Sequence, residues 1–125
     1  MQELAAGMLS VRRSRFYAHL YQVNASDDLA SLMDGHRAAY KKACHHCHAV
    51  RTRDSSTESI EEAWNDDGEV GRPGRVLLDL LRRYELCHHV LAVSRIYGGV
   101  KLGVGGVARA FRRAGEGAIR HHLDG

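Results

Sequence analysis

Two cysteines and three histidines occupy the five consecutive positions from Cys44 to His48. Thiolate sulfur and imidazole nitrogen are the usual ligands of a structural zinc ion, which draws them in pairs from tight turns. No glycine or proline that could form such a turn lies in this stretch, and only the segment Cys87 to His89 could supply a second pair. In a strand, Cys44 and Cys47 would point to opposite faces of the sheet. We therefore expect a strand here and no structural metal.

A second group of residues that could do chemistry is Asp66, Asp67, Gly68 and Glu69. Three carboxylates around a glycine could hold Mg²⁺ or accept hydrogen bonds from a cationic partner. They could equally well cap a turn and pair with a nearby arginine, because Asp and Gly are common turn residues. No serine or histidine adjacent in sequence completes a catalytic triad. The two interpretations remain open at this stage.

Five glycines separate a predicted strand from the predicted last helix: Gly98, Gly99, Gly103, Gly105 and Gly106. A glycine-rich turn into a helix N-terminus presents free backbone N–H groups and suits an anion such as phosphate. The segment is not a P-loop, because Val104 stands where that motif needs lysine. For most of these glycines we favour tight turning and close packing. We assign an anion contact to the cations of this region, Arg95, Lys101 and Arg109.

The whole chain, residues 1–125, is expected to form a single domain, since it has 125 residues, 44% hydrophobic residues and 26% charged residues. No apolar run is long enough to cross a membrane. The N-terminal basic cluster follows the apolar part, which is the reverse of a secretory signal. We expect a cytoplasmic protein with no membrane partner.

The charges of the chain are unevenly distributed. Residues 54–69 contain seven acids and no Lys or Arg, whereas residues 82–125 contain eight bases and three acids. The basic third could form an anion-binding face, or the two regions could neutralise each other.

The pattern of apolar residues predicts four strands and three helices. In chain order it indicates a strand over 15–23, a helix over 27–41, the strand of the Cys/His stretch, a short strand at 60–64, a helix over 75–85, a central strand over 87–97 and a helix from 107 to 122. This order favours an α+β fold, a two-layer sandwich with helices on one face of a mixed sheet. On the last helix, Arg109, Arg113 and Arg120 should lie opposite the apolar stripe.

Five segments of the chain resemble the IMPACT/YigZ family: "RRSRFYAHL" from Arg12, "ACHHCHAVR" from Ala43, "DDGE" from Asp66, "GRVLLDLL" from Gly74 and "VSRIYGGVKLG" from Val93. The form of the last segment is closer to eukaryotic IMPACT than to the bacterial proteins. The resemblance implies an α/β sandwich similar to domain IV of elongation factor G and related ribosomal-protein domains. It implies a core domain without the RWD domain of eukaryotic IMPACT or the ferredoxin-like domain of bacterial YigZ. It implies no known catalytic activity and no cofactor.

Three functions follow as expectations. The first is a non-enzymatic binding module in translational control or the stress response, with a protein partner from that machinery and the binding residues Asp66, Asp67, Gly68, Glu69, Arg95, Tyr97, Gly98, Gly99, Lys101 and Arg109. The second is RNA or ribosome binding by the basic last helix, with Tyr17, Tyr21 or Tyr97 available for stacking. The third is a Mg²⁺-dependent enzyme that uses the carboxylates. We also expect two loops to lie side by side, the first at Asp66 to Glu69 and the second at Arg95 to Gly99. At least one carboxylate of the first loop should come within ion-pair or water-bridged reach of Arg95 or Lys101.

Overall fold

Five strands form one open sheet in the computed structural model, which describes all residues from Met1 to Gly125. The elements are β1 (Gln2–Val11), β2 (Ser14–Gln22), α1 (Leu29–Ala39), β3 (His45–Arg53), β4 (Ile60–Asn65), α2 (Pro73–Arg83), β5 (His89–Ile96) and α3 (Gly103–Asp124). The strand order is β1-β2-β5-β3-β4, and every neighbouring pair is antiparallel. No helix is both long and apolar enough to cross a membrane.

The α+β class is confirmed, but two details of the predicted arrangement are wrong. The sheet is antiparallel throughout rather than mixed. The helices also do not share one face. In β5, Leu91 and Val93 belong to the core under α2 and α3, whereas Val90 and Ala92 pack against α1. Because successive strand residues point to opposite faces, α1 covers the other side of the sheet.

Strand β1 was not predicted from the sequence. It is an edge strand, and a register shift between Glu3 and Ala5 interrupts its alternation. Its hairpin turn to β2 consists of Arg12 and Arg13, both at positive φ (45° and 71°). Such mirror-image turns usually contain Asn-Gly or Asp-Gly, so an Arg-Arg turn carries no recognisable sequence signal.

The main core lies between the sheet and the helix pair α2 and α3. Phe16 of β2 and Phe111 of α3 are fully buried, and their rings meet edge to face at 5.2 Å between centroids. This geometry is the favoured one for an aromatic pair. The predicted apolar stripe of α3 is buried, and Arg109, Arg113 and Arg120 are exposed as expected; Arg112 is exposed as well.

The Cys/His stretch forms strand β3, as predicted. Cys47 lies in the main core, while His46 and His48 point to the face that α1 covers. Cys44 lies just before the strand. The absence of a bound metal stays a prediction.

Helix α3 begins at Gly103, four residues before the predicted start. Three of the five glycines, Gly103, Gly105 and Gly106, therefore belong to its first turn rather than to a loop.

Candidate functional site

A buried ion pair joins the two predicted loops. Nη1 of Arg95 donates to Oε2 of Glu69 at 3.1 Å, and only 7% and 4% of the two side chains are exposed. The predicted ion pair between the loops is therefore present. Removing one partner of a buried pair leaves an uncompensated charge, which is strongly destabilising. The pair thus fixes the two loops against each other.

Arg95 is held on several sides. Its Nη2 donates to Oγ of Ser14 at 3.4 Å, and the same oxygen accepts from the backbone N–H of Gly98 at 3.2 Å. The guanidinium carbon lies 5.7 Å from the ring centroid of Phe16 and 5.5 Å from that of Tyr97. Arg95 is 6% exposed, so in this conformation it anchors the loops and presents no charge to a solvent anion.

Asp66 caps helix α2 from outside the helix. Its Oδ1 accepts from the backbone N–H of Gly74 at 2.8 Å, in the first turn of α2. The helix has no side-chain cap from its own N-cap residue, Arg72, which adopts a left-handed conformation. A Cβ atom on Gly74 would lie 2.8 Å from the backbone of Asn65, so only glycine lets the loop approach the helix this closely.

Asp67 extends the β3–β4 ladder with its side chain. Its Oδ2 accepts from the backbone N–H of His46 at 2.8 Å, and its carbonyl oxygen accepts from Nδ1 of His45, also at 2.8 Å. Asp67 and Gly68 both have positive φ (49° and 74°), and they form the exposed tip of the loop.

The three carboxylates cap a helix, extend a ladder and pair with an arginine within the protein. Asp66 and Asp67 each have one oxygen engaged, and Glu69 has both, since its Oε1 accepts from the N–H of Val70 at 2.9 Å. No group of three or more His, Cys, Asp or Glu residues has an arrangement that could hold a metal ion.

The second loop contacts the β1–β2 turn closely. A Cβ atom on Gly98 would lie 2.1 Å from the carbonyl carbon of Arg13, so only glycine fits. Gly99 has a φ of 86°. Tyr97 is half exposed, and Lys101 is exposed and forms no ion pair with an acid.

Two exposed apolar side chains lie beside the ion pair, and a third lies at the start of α3. Val70 follows Glu69, and Tyr97 stands over Arg95. A Cβ atom on Gly71 would lie 2.9 Å from the carbonyl oxygen of Val104, which places the first loop against the start of α3. Val70, Tyr97 and Val104 are 49%, 49% and 61% exposed. We call Val70, Tyr97, Lys101 and Val104 the loop patch.

Arg109 lies away from the loop patch. Its guanidinium folds back along α3, where a Cβ atom on Gly105 would lie 3.1 Å from its Nη1. It lines a separate groove with Arg12 of the hairpin turn. Of the predicted binding residues, the structure therefore connects the loop from Asp66 to Glu69 with Arg95, Tyr97 and Gly98.

The sequence analysis missed a histidine network under α1. Oγ of Ser94 lies 2.7 Å from Nε2 of His36 and 2.7 Å from Nδ1 of His46. His19 hydrogen-bonds to Glu3 and Tyr40. Burial and the neighbouring imidazoles lower the pKa of His36 from 6.5 to about 3. Nothing in the sequence indicated that α1 covers this face of the sheet.

The fold and the site define a small antiparallel α+β domain in which a buried ion pair holds two loops together. A family model described as the Impact N-terminal domain matches residues 12–119, and the chain belongs to this family. The predicted family is thus confirmed.

Relatives occur in bacteria and in animals. The IMPACT family member YvyE of Bacillus subtilis (strain 168) is 29% identical over 122 residues, which are 97% of this chain and 55% of YvyE. Protein IMPACT of Rattus norvegicus is 35% identical over 96 residues, which are 74% of this chain and 29% of that protein. The chain thus spans about half or less of these relatives. A closer relation to the eukaryotic form stays a prediction.

Two solved structures share the fold. The crystal structure of a hypothetical protein superposes with a TM-score of 0.81 at 25% identity, covering 96% of this chain and 61% of the other. A protein described as the two-domain translational regulator Yih1 superposes with a TM-score of 0.65 at 20% identity, covering 96% of this chain and 46% of the other.

Proposed function

We propose that this domain is a non-enzymatic binding module of translational control that contacts a protein partner through the loop patch. The role in translational control is proposed because the chain resembles the IMPACT/YigZ family. That resemblance implies translational control under amino-acid starvation or stress. A protein of the same fold is also described as a translational regulator.

The observation that carries the proposal is an exposed apolar surface on a rigid base. Val70 and Tyr97, beside the buried Glu69–Arg95 pair, and Val104, at the start of α3, expose about half or more of their area. Exposed apolar clusters with an aromatic member and a charged rim are typical of protein interfaces. Rigid loops lose little conformational freedom on binding, which favours affinity.

The charge around the patch indicates an acidic partner. Lys101 belongs to the patch and Arg72 lies next to Gly71; both are exposed and neither forms an ion pair with an acid. A partner segment with carboxylates beside apolar side chains would complement this surface.

The Mg²⁺-dependent enzyme has less support than the binding module. The carboxylate of Glu69 is fully engaged within the protein, and those of Asp66 and Asp67 already accept backbone N–H groups. These carboxylates hold the loops and helix α2 in place.

A single substitution, Val104→Asp, tests the proposal. Val104 is the second residue of α3, where a carboxylate interacts favourably with the helix dipole, so folding should be preserved. An acid in the centre of a patch that binds an acidic partner should cost about 2 kcal/mol or more of binding free energy. We expect capture of translation-machinery proteins from an extract of the source cells to fall at least about tenfold, as measured by quantitative mass spectrometry.

The matched control is Leu123→Asp, a similar exposed aliphatic residue at the other end of α3 (53% exposed). It should capture the same translation proteins as the wild type. The proposal fails if the wild-type domain captures no translation-machinery protein, or if both variants capture them equally well.

A further inference from the structure

One end of the molecule carries arginines that are not neutralised. Five exposed arginines of the β1–β2 turn and the first half of α3 take no part in any ion pair: Arg12, Arg13, Arg109, Arg112 and Arg113. No Asp or Glu occurs between Gly98 and Gly115. Three acids of residues 54–69 pair with other arginines: Glu58 with Arg53, Glu62 with Arg51 and Arg82, and Glu69 with Arg95. The positive charge at this end therefore faces solvent.

A groove of about 250 Å³ lies between the hairpin turn and α3. We call it the arginine groove; it is lined by Arg12, Arg109 and Arg113 together with Val11, Leu102, Gly106 and Ala110. A Cβ atom on Gly106 would lie 3.2 Å from Cβ of Leu102 and 4.0 Å from Nη2 of Arg109. The glycine thus leaves room beside the arginine that a larger side chain would fill.

This combination of charges and apolar surface suits one class of ligand. A guanidinium donates two parallel hydrogen bonds to a phosphate group and also stacks on planar rings. The partly exposed aliphatic side chains of Val11 and Leu102 offer apolar surface to the face of a nucleobase. The face of a base is accessible in this way only when the strand is unpaired, so the groove suits a single strand rather than a duplex.

We propose that the arginine groove binds single-stranded nucleic acid. Arg12, Arg109 and Arg113 contact successive phosphates, and one base packs against the apolar residues between them. The groove is distinct from the loop patch. On α3, Arg109 and Arg113 lie about 40° apart around the helix axis, whereas Arg109 lies about 140° from Val104. The two surfaces can therefore be tested separately.

Fluorescence anisotropy with labelled oligouridine and oligothymidine tests the proposal. The double variant R109E/R113E should bind at least about tenfold more weakly than the wild type. Because each phosphate contact on a single strand contributes about 0.7 to the slope of log K against log salt concentration, the slope should fall by about 1.4. Circular dichroism should show unchanged folding, since both residues are exposed.

The matched control is K41E/K42E, which makes the same change in net charge. These exposed lysines follow α1 and line a separate groove with Tyr17 and Ile96. The control should bind within about threefold of the wild type, because screening by salt limits the reach of a distant charge. Tighter binding of oligouridine would identify the ligand as RNA, and tighter binding of oligothymidine as DNA; both support the groove.

Three results would overturn the proposal. They are no binding of either oligonucleotide at low salt, an equal loss of affinity in both double variants, and tighter binding of a duplex than of a single strand. The second result would show that binding follows net charge rather than this groove.

Discussion

Lowering the pH from about 8 to about 5 is expected to destabilise the domain through His36, which lies under α1 and is only 3% exposed. Burial, together with the imidazoles of His19, His46 and His48 and the guanidinium of Arg37, lowers its pKa from 6.5 to about 3. Between these two values the unfolded chain takes up a proton that the folded chain does not. The stabilisation is therefore complete above about pH 6.5 and is lost as the pH falls toward about 3.

The size of this effect follows from the two pKa values of His36. With 6.5 in the unfolded chain and about 3 in the folded one, the free energy of unfolding at pH 5 should be about 2 kcal/mol lower than at pH 8. Burial also lowers the pKa of His46 and His48, so these residues add to the loss in the same direction.

Urea denaturation at both pH values measures the effect in the wild type, in His36→Gln and in the control His121→Gln, whose residue is exposed on α3. The difference in unfolding free energy between the two pH values is compared within each protein, so the direct cost of the substitution cancels. His36→Gln should reduce this difference by about 2 kcal/mol, and the control should leave it unchanged. If the difference between the two pH values is as large in His36→Gln as in the wild type, the loss of stability at low pH does not come from His36.

Two further predictions concern the loops. Glu69→Gln leaves Arg95 buried without its partner and should lower the free energy of unfolding by about 3–5 kcal/mol, whereas Glu58→Gln, which breaks the exposed pair with Arg53, should cost about 0–1 kcal/mol. Urea denaturation measures the free energy of unfolding of both variants. A similar decrease in the two would contradict the stabilising role of the buried Glu69–Arg95 pair. Gly98→Ala places a Cβ atom against the backbone of Arg13 and should destabilise by more than about 1 kcal/mol. In contrast, Gly117→Ala, at an open and exposed position in α3, should stabilise the fold by about 0.5–1 kcal/mol. Thermal denaturation measures both variants. An unchanged melting temperature in Gly98→Ala would contradict the close approach of Gly98 to Arg13.

Much of the fold could be predicted from sequence because the inner strands have clear patterns. The apolar run of β5 indicated a central strand, and β5 lies at the centre of the sheet. Alternation in β3 correctly placed Cys47 apart from His46. In contrast, β1 is an edge strand with a bulge and an Arg-Arg turn, so neither alternation nor turn residues marked it.

The face that a helix covers could not be predicted from chain order. The sequence of α1 fits a helix equally well on either side of the sheet, and its side was fixed by contacts with Val90 and Ala92. The histidine network under α1 was missed for the same reason.

The candidate site was predicted in part. A contact between one of the three carboxylates and Arg95 or Lys101 was expected, because the two turn-rich segments precede the second helix and follow the central strand. The sequence did not indicate that Glu69 and Arg95 would be the two partners. Two other contacts of the site were not predicted: the hydrogen bond from Gly98 to Ser14 and the close approach of Gly98 to Arg13. Both depend on the register of β2 against β5. Register is a property of the folded sheet, so local sequence patterns do not reveal it.

Protein synthesis in a cell-free translation extract of the source cells tests the central claim most directly. An excess of the wild-type domain should occupy the partner and change the output of a reporter, and Leu123→Asp should act in the same way. Val104→Asp should have little effect at the same concentration, because the loop patch no longer binds. Unchanged output with the wild-type domain, or an equal change with Val104→Asp, would contradict a role in translational control through this surface.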